Sequence, residues 1–117
     1  MTSGRSSPDR QRSPVHAGDV AIIDFGVPIG SSPALVRPAV VITAQPTLDE
    51  FDQTFHVVPI TRTERQWPTD VPTDHGHAQC HLVTTVDQVQ LIEVTASSVG
   101  AVILAQIRET IALLFGM

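Results

Sequence analysis

Arg37-Pro38-Ala39-Val40-Val41-Ile42-Thr43 is the stretch that decides the fold. Val40, Val41, Ile42 and Thr43 are β-branched, and such side chains fit a pleated, half-buried strand better than a helix. A strand is therefore expected over 39–43, with Pro38 leading into it. Before it, Val20-Ala21-Ile22-Ile23-Asp24-Phe25 reads as another strand, entered through Gly18-Asp19. Glycine, proline and serine fill 26–33, which makes that segment a loop. After it, residues 44–54 read as a mostly polar connection, and His56-Val57-Val58-Pro59-Ile60 as a third strand. Proline has no N–H to give a ladder, so this strand is expected near a sheet edge or a bulge.

Further out, 62–79 reads as a long loop broken by Pro68, Pro72 and Gly76, with a short strand near Val71. Short strands are expected over 80–84, 86–89 and 99–102. From Ile103 the apolar period changes. Ile103, Ile107, Ile111 and Leu114 fall on one helical face, with Leu104 and Phe115 beside it. Ser97 or Ser98 is a candidate cap and Gly116 a natural stop. Several short strands with turn punctuation predict a mainly β fold, a small barrel or sandwich, with a C-terminal helix packed on it.

The length of 117 residues fits one domain. Aromatic residues are only 4%, so the core must rest on Val, Ile, Leu and Ala. Residues 1–15, rich in Ser, Arg, Pro and Gly, are expected to form a disordered tail, and 16–117 the folded domain. No apolar run approaches the roughly 18 residues of a membrane span. No apolar stretch follows Arg5, Arg10 and Arg12, so no secretory signal is read there. The lone Cys80 excludes an internal disulfide framework. Together these features lead to the expectation of a cytoplasmic protein with no membrane partner.

The formal net charge is −5, and there is no lysine. Three of the seven arginines lie in the tail, leaving Arg37, Arg62, Arg65 and Arg108. Composition alone favours a protein that does not bind nucleic acid. If the chain handles RNA, those few cations must be gathered in one groove.

Several blocks in order change that balance. Gly18-Asp19-Val20, Asp24-Phe25-Gly26, Pro28-Ile29-Gly30-Ser31 and Arg37-Pro38 resemble the opening of the MazF/PemK endoribonuclease toxins. Val58-Pro59-Ile60-Thr61 and Val86-Asp87-Gln88-Val89 resemble two later blocks of that family, and the C-terminal helix falls where the family has one. No block is specific alone, but their order along one short chain makes a joint signal. The resemblance implies an SH3-like barrel, a homodimer, a cognate antitoxin, and sequence-selective cleavage of single-stranded RNA without metal or other cofactor. Many family members carry Glu where this chain has Ser32, and a cation where it has Gln90.

Metal-free RNA cleavage uses the substrate's own 2′-hydroxyl as nucleophile, and the transition state gathers negative charge on the phosphate oxygens. Fixed donors must meet that charge. An arginine fork fits phosphate geometry. The resemblance places the catalytic pair at Arg37 and Thr61. The RNA-binding surface is expected to include Ser31, Ser32, Asp87 and Gln88 from the resembling blocks; Arg62 and Arg65, on the loop after Thr61, read equally as contacts to flanking phosphates or as part of a solvated loop with Glu64 interleaved. Spacing alone gives Arg37 no more than the role of a surface arginine before a strand, and Thr61 that of an ordinary strand threonine. Trp67 is read either as a platform for an unpaired base or as a pin holding the loop to the barrel. His75, His77, Cys80 and His81 are zinc-compatible residue types, but their spacing matches no standard zinc module, which favours a solvated loop. Histidine is also a candidate general base, with nothing in the sequence tying one to the site. Two rival functions remain open on the same architecture: a CcdB-like protein that binds DNA gyrase without catalysis, and an inactive binding scaffold.

Overall fold

The computed structural model describes residues 15–27, 30, 35–63 and 67–117. Seven strands form one antiparallel sheet: β1 (Asp19–Asp24), β2 (Val36–Val41), β3 (Thr54–Thr61), β4 (Asp70–Thr73), β5 (Gly76–Gln79), β6 (Thr84–Asp87) and β7 (Leu91–Ser98). A short helix α1 (Gln45–Glu50) lies between β2 and β3, and α2 (Gly100–Leu114) ends the chain. The strand order is β4-β5-β3-β2-β1-β7, with β6 also paired to β3. This is the expected mainly β fold with one C-terminal helix on the sheet, although the pairing does not close into a ring. Among the described residues no helix is long and apolar enough to cross a membrane.

Side chains alternate across a strand, and the central strands are apolar at both alternations. Val20, Val40, Val58, Ile60, Ala78 and Cys80 face α2, which contributes Leu104, Ile107 and Ile111. Ala21, Ile23, Ala39, Val41, Phe55 and Val57 fill the opposite face with Leu48 of α1 and Val86 of β6. Val15, placed in the tail by the sequence reading, is 2% exposed and belongs to this second cluster. The rest of the expected tail, residues 1–14, lies outside the described residues.

Pro59 corrects one expectation. It is fully buried in the middle of the sheet, paired with Ala39 of β2. On the other edge of β3, residues 54–57 pair with β6 and residues 60–61 with β5. Pro59 falls in the gap between those two ladders, where an N–H has no strand partner to meet.

Other boundaries move for physical reasons. The polar connection contains α1, whose single turn buries only Leu48 and so shows no apolar period. Residues 80–82 and 88–90 are 3₁₀ turns rather than strand. The last strand is Leu91–Ser98 rather than 99–102. Two register shifts against β1 interrupt its alternation, which hides it from a period-two reading. Helix α2 begins three residues before Ile103. Gly100 adopts φ +85° at its first position, and Ser98 Oγ accepts the Gly100 N–H at 3.1 Å. Arg108 is committed to structure: its Nε and Nη2 donate to the Ile42 carbonyl at 3.0 and 2.9 Å, clamping α2 to the end of β2.

Ile107 is fully buried between α2 and the sheet. Ile107→Ala should lower stability by about 2–5 kcal/mol, since the cavity closes only in part. Urea unfolding monitored by circular dichroism measures this.

Candidate active site

The apolar face opposite α2 gives out toward one end of the sheet, and polar residues continue it. In β2 the run Val41, Ala39 leads to Arg37; in β3 the run Val57, Pro59 leads to Thr61. Ala39 lies across from Pro59, so the same register carried two residues on sets Arg37 across from Thr61. Thr61 in turn pairs with His77 of β5. Ala78 faces α2, so His77 and Gln79 share the other face with Arg37 and Thr61. Arg37, Thr61 and His77 thus form one row across three strands, about 10 Å from first backbone to last at ordinary strand spacing. The two residues assigned by resemblance as catalytic are brought together.

Hydrogen bonds fix this row. One terminal nitrogen of Arg37 donates to the Ile60 carbonyl at 3.4 Å and to Gln79 Oε1 at 3.3 Å. Gln79 is 3% exposed, the one buried polar residue among those described. A buried amide needs a partner, and here it steadies the guanidinium. The Thr61 hydroxyl oxygen accepts the Thr63 N–H at 3.1 Å, which leaves the hydroxyl hydrogen as the group's donor. Sequence reading missed Gln79, because a glutamine in an apparent loop carries no signal before the β4–β5 hairpin is known.

That hairpin also brings His77 to Thr61. Thr73 Oγ1 accepts the His75 N–H at 2.9 Å and donates to the Gly76 carbonyl at 2.7 Å, closing a two-residue turn. Gly76 has φ +126°, and a Cβ there would lie 2.6 Å from the Thr61 carbonyl oxygen. Only glycine allows this close approach. Arg62, Asp74, His75, Gly76 and His77 line an open pocket of about 260 Å³ beside the row.

The remaining candidates are placed as follows. Asp87 caps the second 3₁₀ turn: its Oδ1 accepts the Val89 N–H at 3.0 Å, and its own N–H goes to Gln90 Oε1 at 2.9 Å. Gln90 also donates to the Asp24 carbonyl at 3.2 Å. Gln88 sits in the same turn, its N–H on the Gln53 carbonyl. This block holds the β6–β7 connection to the end of β1. Ser31, Ser32 and Arg65 lie outside the described residues. Trp67 stacks on His81 with ring centroids 4.7 Å apart, which is the geometry of a pin. Cys80 lies in the core while His75 and His77 line the pocket, so the four zinc-compatible residues are dispersed. No group of three potential ligands converges among the described residues. Burial, with the Asp70 carboxylate beside it, pushes the Cys80 thiol up to about 11.

A family model described as PemK-like, MazF-like toxin of type II toxin-antitoxin system matches residues 16–115. No curated protein sequence matches the chain. Among solved structures, MazF from Deinococcus radiodurans superimposes with a TM-score of 0.77 at 20% identity, covering 90% of this chain and 99% of that one. A MazE-MazF structure from the same organism gives 0.72 at 20% identity over 90% and 98%. An endoribonuclease in complex with its cognate antitoxin, from a mycobacterial species, gives 0.70 at 19% identity over 88% and 96%. At these identities the structures establish the shared fold.

Two outcomes follow from the geometry. Gly76→Ala forces a side chain into a left-handed conformation and against β3, and should cost at least about 1–3 kcal/mol in thermal unfolding. Cys80, a buried and protonated thiol, should resist iodoacetamide at pH 8 in the folded protein and react once urea unfolds it.

Proposed function

The chain belongs to the PemK-like, MazF-like family of toxins from type II toxin-antitoxin systems, and on that premise we propose that it is a metal-independent, sequence-selective endoribonuclease acting on single-stranded RNA. The observation that carries this reading is the convergence of Arg37 and Thr61 on one sheet face, with Gln79 holding the guanidinium.

In the proposed reaction the 2′-oxygen attacks the adjacent phosphorus and the bond to the 5′-oxygen breaks. The products are a 2′,3′-cyclic phosphate and a 5′-hydroxyl. Arg37 and the Thr61 hydroxyl donate to the phosphate oxygens as their charge grows. Because the nucleophile belongs to the substrate, no metal-activated water is called for. Arg62, exposed at the pocket beside the row, meets a flanking phosphate. Arg65, Ser31, Ser32, Asp87 and Gln88 belong to the same proposed RNA surface. With Arg108 tied to Ile42, the other described arginines are Arg37 and Arg62, and both lie near one end of the sheet.

A cognate antitoxin with an acidic, apolar segment would compete with RNA for these cations. A homodimer is the proposed assembly. Leu113, Leu114, Phe115 and Met117 are exposed at the end of α2 and offer an apolar surface to bury. Function in the cytoplasm is proposed, where RNA substrates lie.

Arg37→Ala should cut RNA cleavage by about 10²-fold or more with the fold intact. Thr61→Ala should reduce it as well. Cleavage by the unaltered protein should survive EDTA and fail on a strand with deoxyribose at the scissile position. Electrophoresis of end-labelled RNA reads all of these. RNA left intact by a folded, pure protein would instead favour a gyrase-binding toxin or an inactive scaffold.

A further inference from the structure

Resemblance supplies this reaction with donors for the phosphate but no group to take the 2′-hydroxyl proton. Arginine stays protonated near neutral pH and cannot accept that proton, and the family's common glutamate position is Ser32 here. We propose that His77 is the general base, an assignment that rests on the ribonuclease reading above.

Three observations point to it. His77 lies directly across from Thr61 in the β3–β5 ladder, so their Cβ atoms are neighbours on the face that carries Arg37. His77 is one of the residues that line the open pocket beside Arg62. Its Nδ1 is buried with no hydrogen-bond partner among the described residues. Buried polar atoms are almost always satisfied, and an exception calls for an explanation other than packing.

The other histidines are placed less well. His16 contacts Asp19. His56 is exposed farther back along β3, across from Thr85. His81 stacks on Trp67 and lies 3.3 Å from Thr69 Oγ1. His75 lines the pocket but sits on the hairpin turn rather than in the row. Among the described residues, the charged and titratable groups that line the pocket with His77 or share its row are Arg62 after β3, Asp74 and His75 on the turn, and Arg37 on β2 beyond Thr61.

The step balances as follows. A ring nitrogen of His77 takes the 2′-hydroxyl proton while the 2′-oxygen bonds to phosphorus. The P–O5′ bond breaks with its electron pair on O5′, which takes a proton from water. The hydroxide left behind is neutralised by the imidazolium proton, and the ring returns to its starting state. Histidine suits this work because its ordinary pKa lies close to neutral pH.

The test is single-turnover cleavage of a long unstructured RNA in EDTA, across pH, by the full chain. His77→Gln and His77→Asn should slow cleavage by about 10²–10⁴-fold. Both should keep the circular dichroism spectrum and RNA binding of the parent, since the ladder contacts of His77 are main chain. The acidic limb of the rate profile should vanish with the histidine, and added imidazole should restore part of the rate in His77→Ala. His56→Gln should behave as the parent. Parent-like rates and an intact acidic limb in His77→Gln overturn the assignment, as does a loss found in His75→Gln but not in His77→Gln. These results leave the ribonuclease reading standing, because the parent cleaves. A parent as inert as Arg37→Ala brings down that reading and the role of His77 with it.

Discussion

Strand β3 must bond to β2 along one edge and to two different strands along the other, and the whole sheet depends on that division. Pro59 sits where the second edge passes from β6 to β5. A residue with an N–H at that point would bury a donor without a ladder partner, which costs free energy. Proline removes the donor, and the chain can be apolar on both faces through Val57, Val58 and Ile60 without interruption. The division also sets where function can be placed. Beyond Pro59 the strand gains β5 as its neighbour, and with β5 come Gln79 and His77.

The proposed chemistry sits at the frayed margin of a core. Arg37 and Thr61 continue the same alternation that buries Ala39 and Pro59, so their backbones are held by the sheet while their polar ends reach solvent. Gln79, buried and bonded to Arg37, limits the motion of a long side chain that would otherwise lose much rotamer freedom on meeting a phosphate. Gly76 draws the hairpin against Thr61 closely enough for His77 to share the row. An acidic chain without lysine can in this way present a small cationic centre, with Arg108 spent on holding α2 to β2.

What the sequence discloses follows the strength of local signals. Strands β1 to β3 are legible because their β-branched residues are dense and face two cores. Helix α2 is legible from its apolar period, although Leu104 rather than Leu114 is the buried member of the face. Strand β5 is not legible: Gly76-His77-Ala78-Gln79 holds one small apolar side chain, and it becomes a strand through Ile60 and Thr61. Strand β7 hides behind its bulges. Arg37 and Thr61 are legible only through ordered family blocks; by spacing alone Arg37 is a surface arginine and Thr61 an ordinary strand threonine. Gln79 and His77 need the hairpin register, which only the fold supplies.

The account stands on one chemical claim, that the substrate's own 2′-hydroxyl is the nucleophile at a row of Arg37, Thr61 and His77. The most direct measurement is ³¹P NMR of the products formed by the purified protein from a single-stranded RNA in EDTA. The account predicts a resonance from a terminal 2′,3′-cyclic phosphate and none from a 5′-phosphate monoester. Products bearing 5′-phosphates and 3′-hydroxyls would show that water attacked instead, and would contradict it.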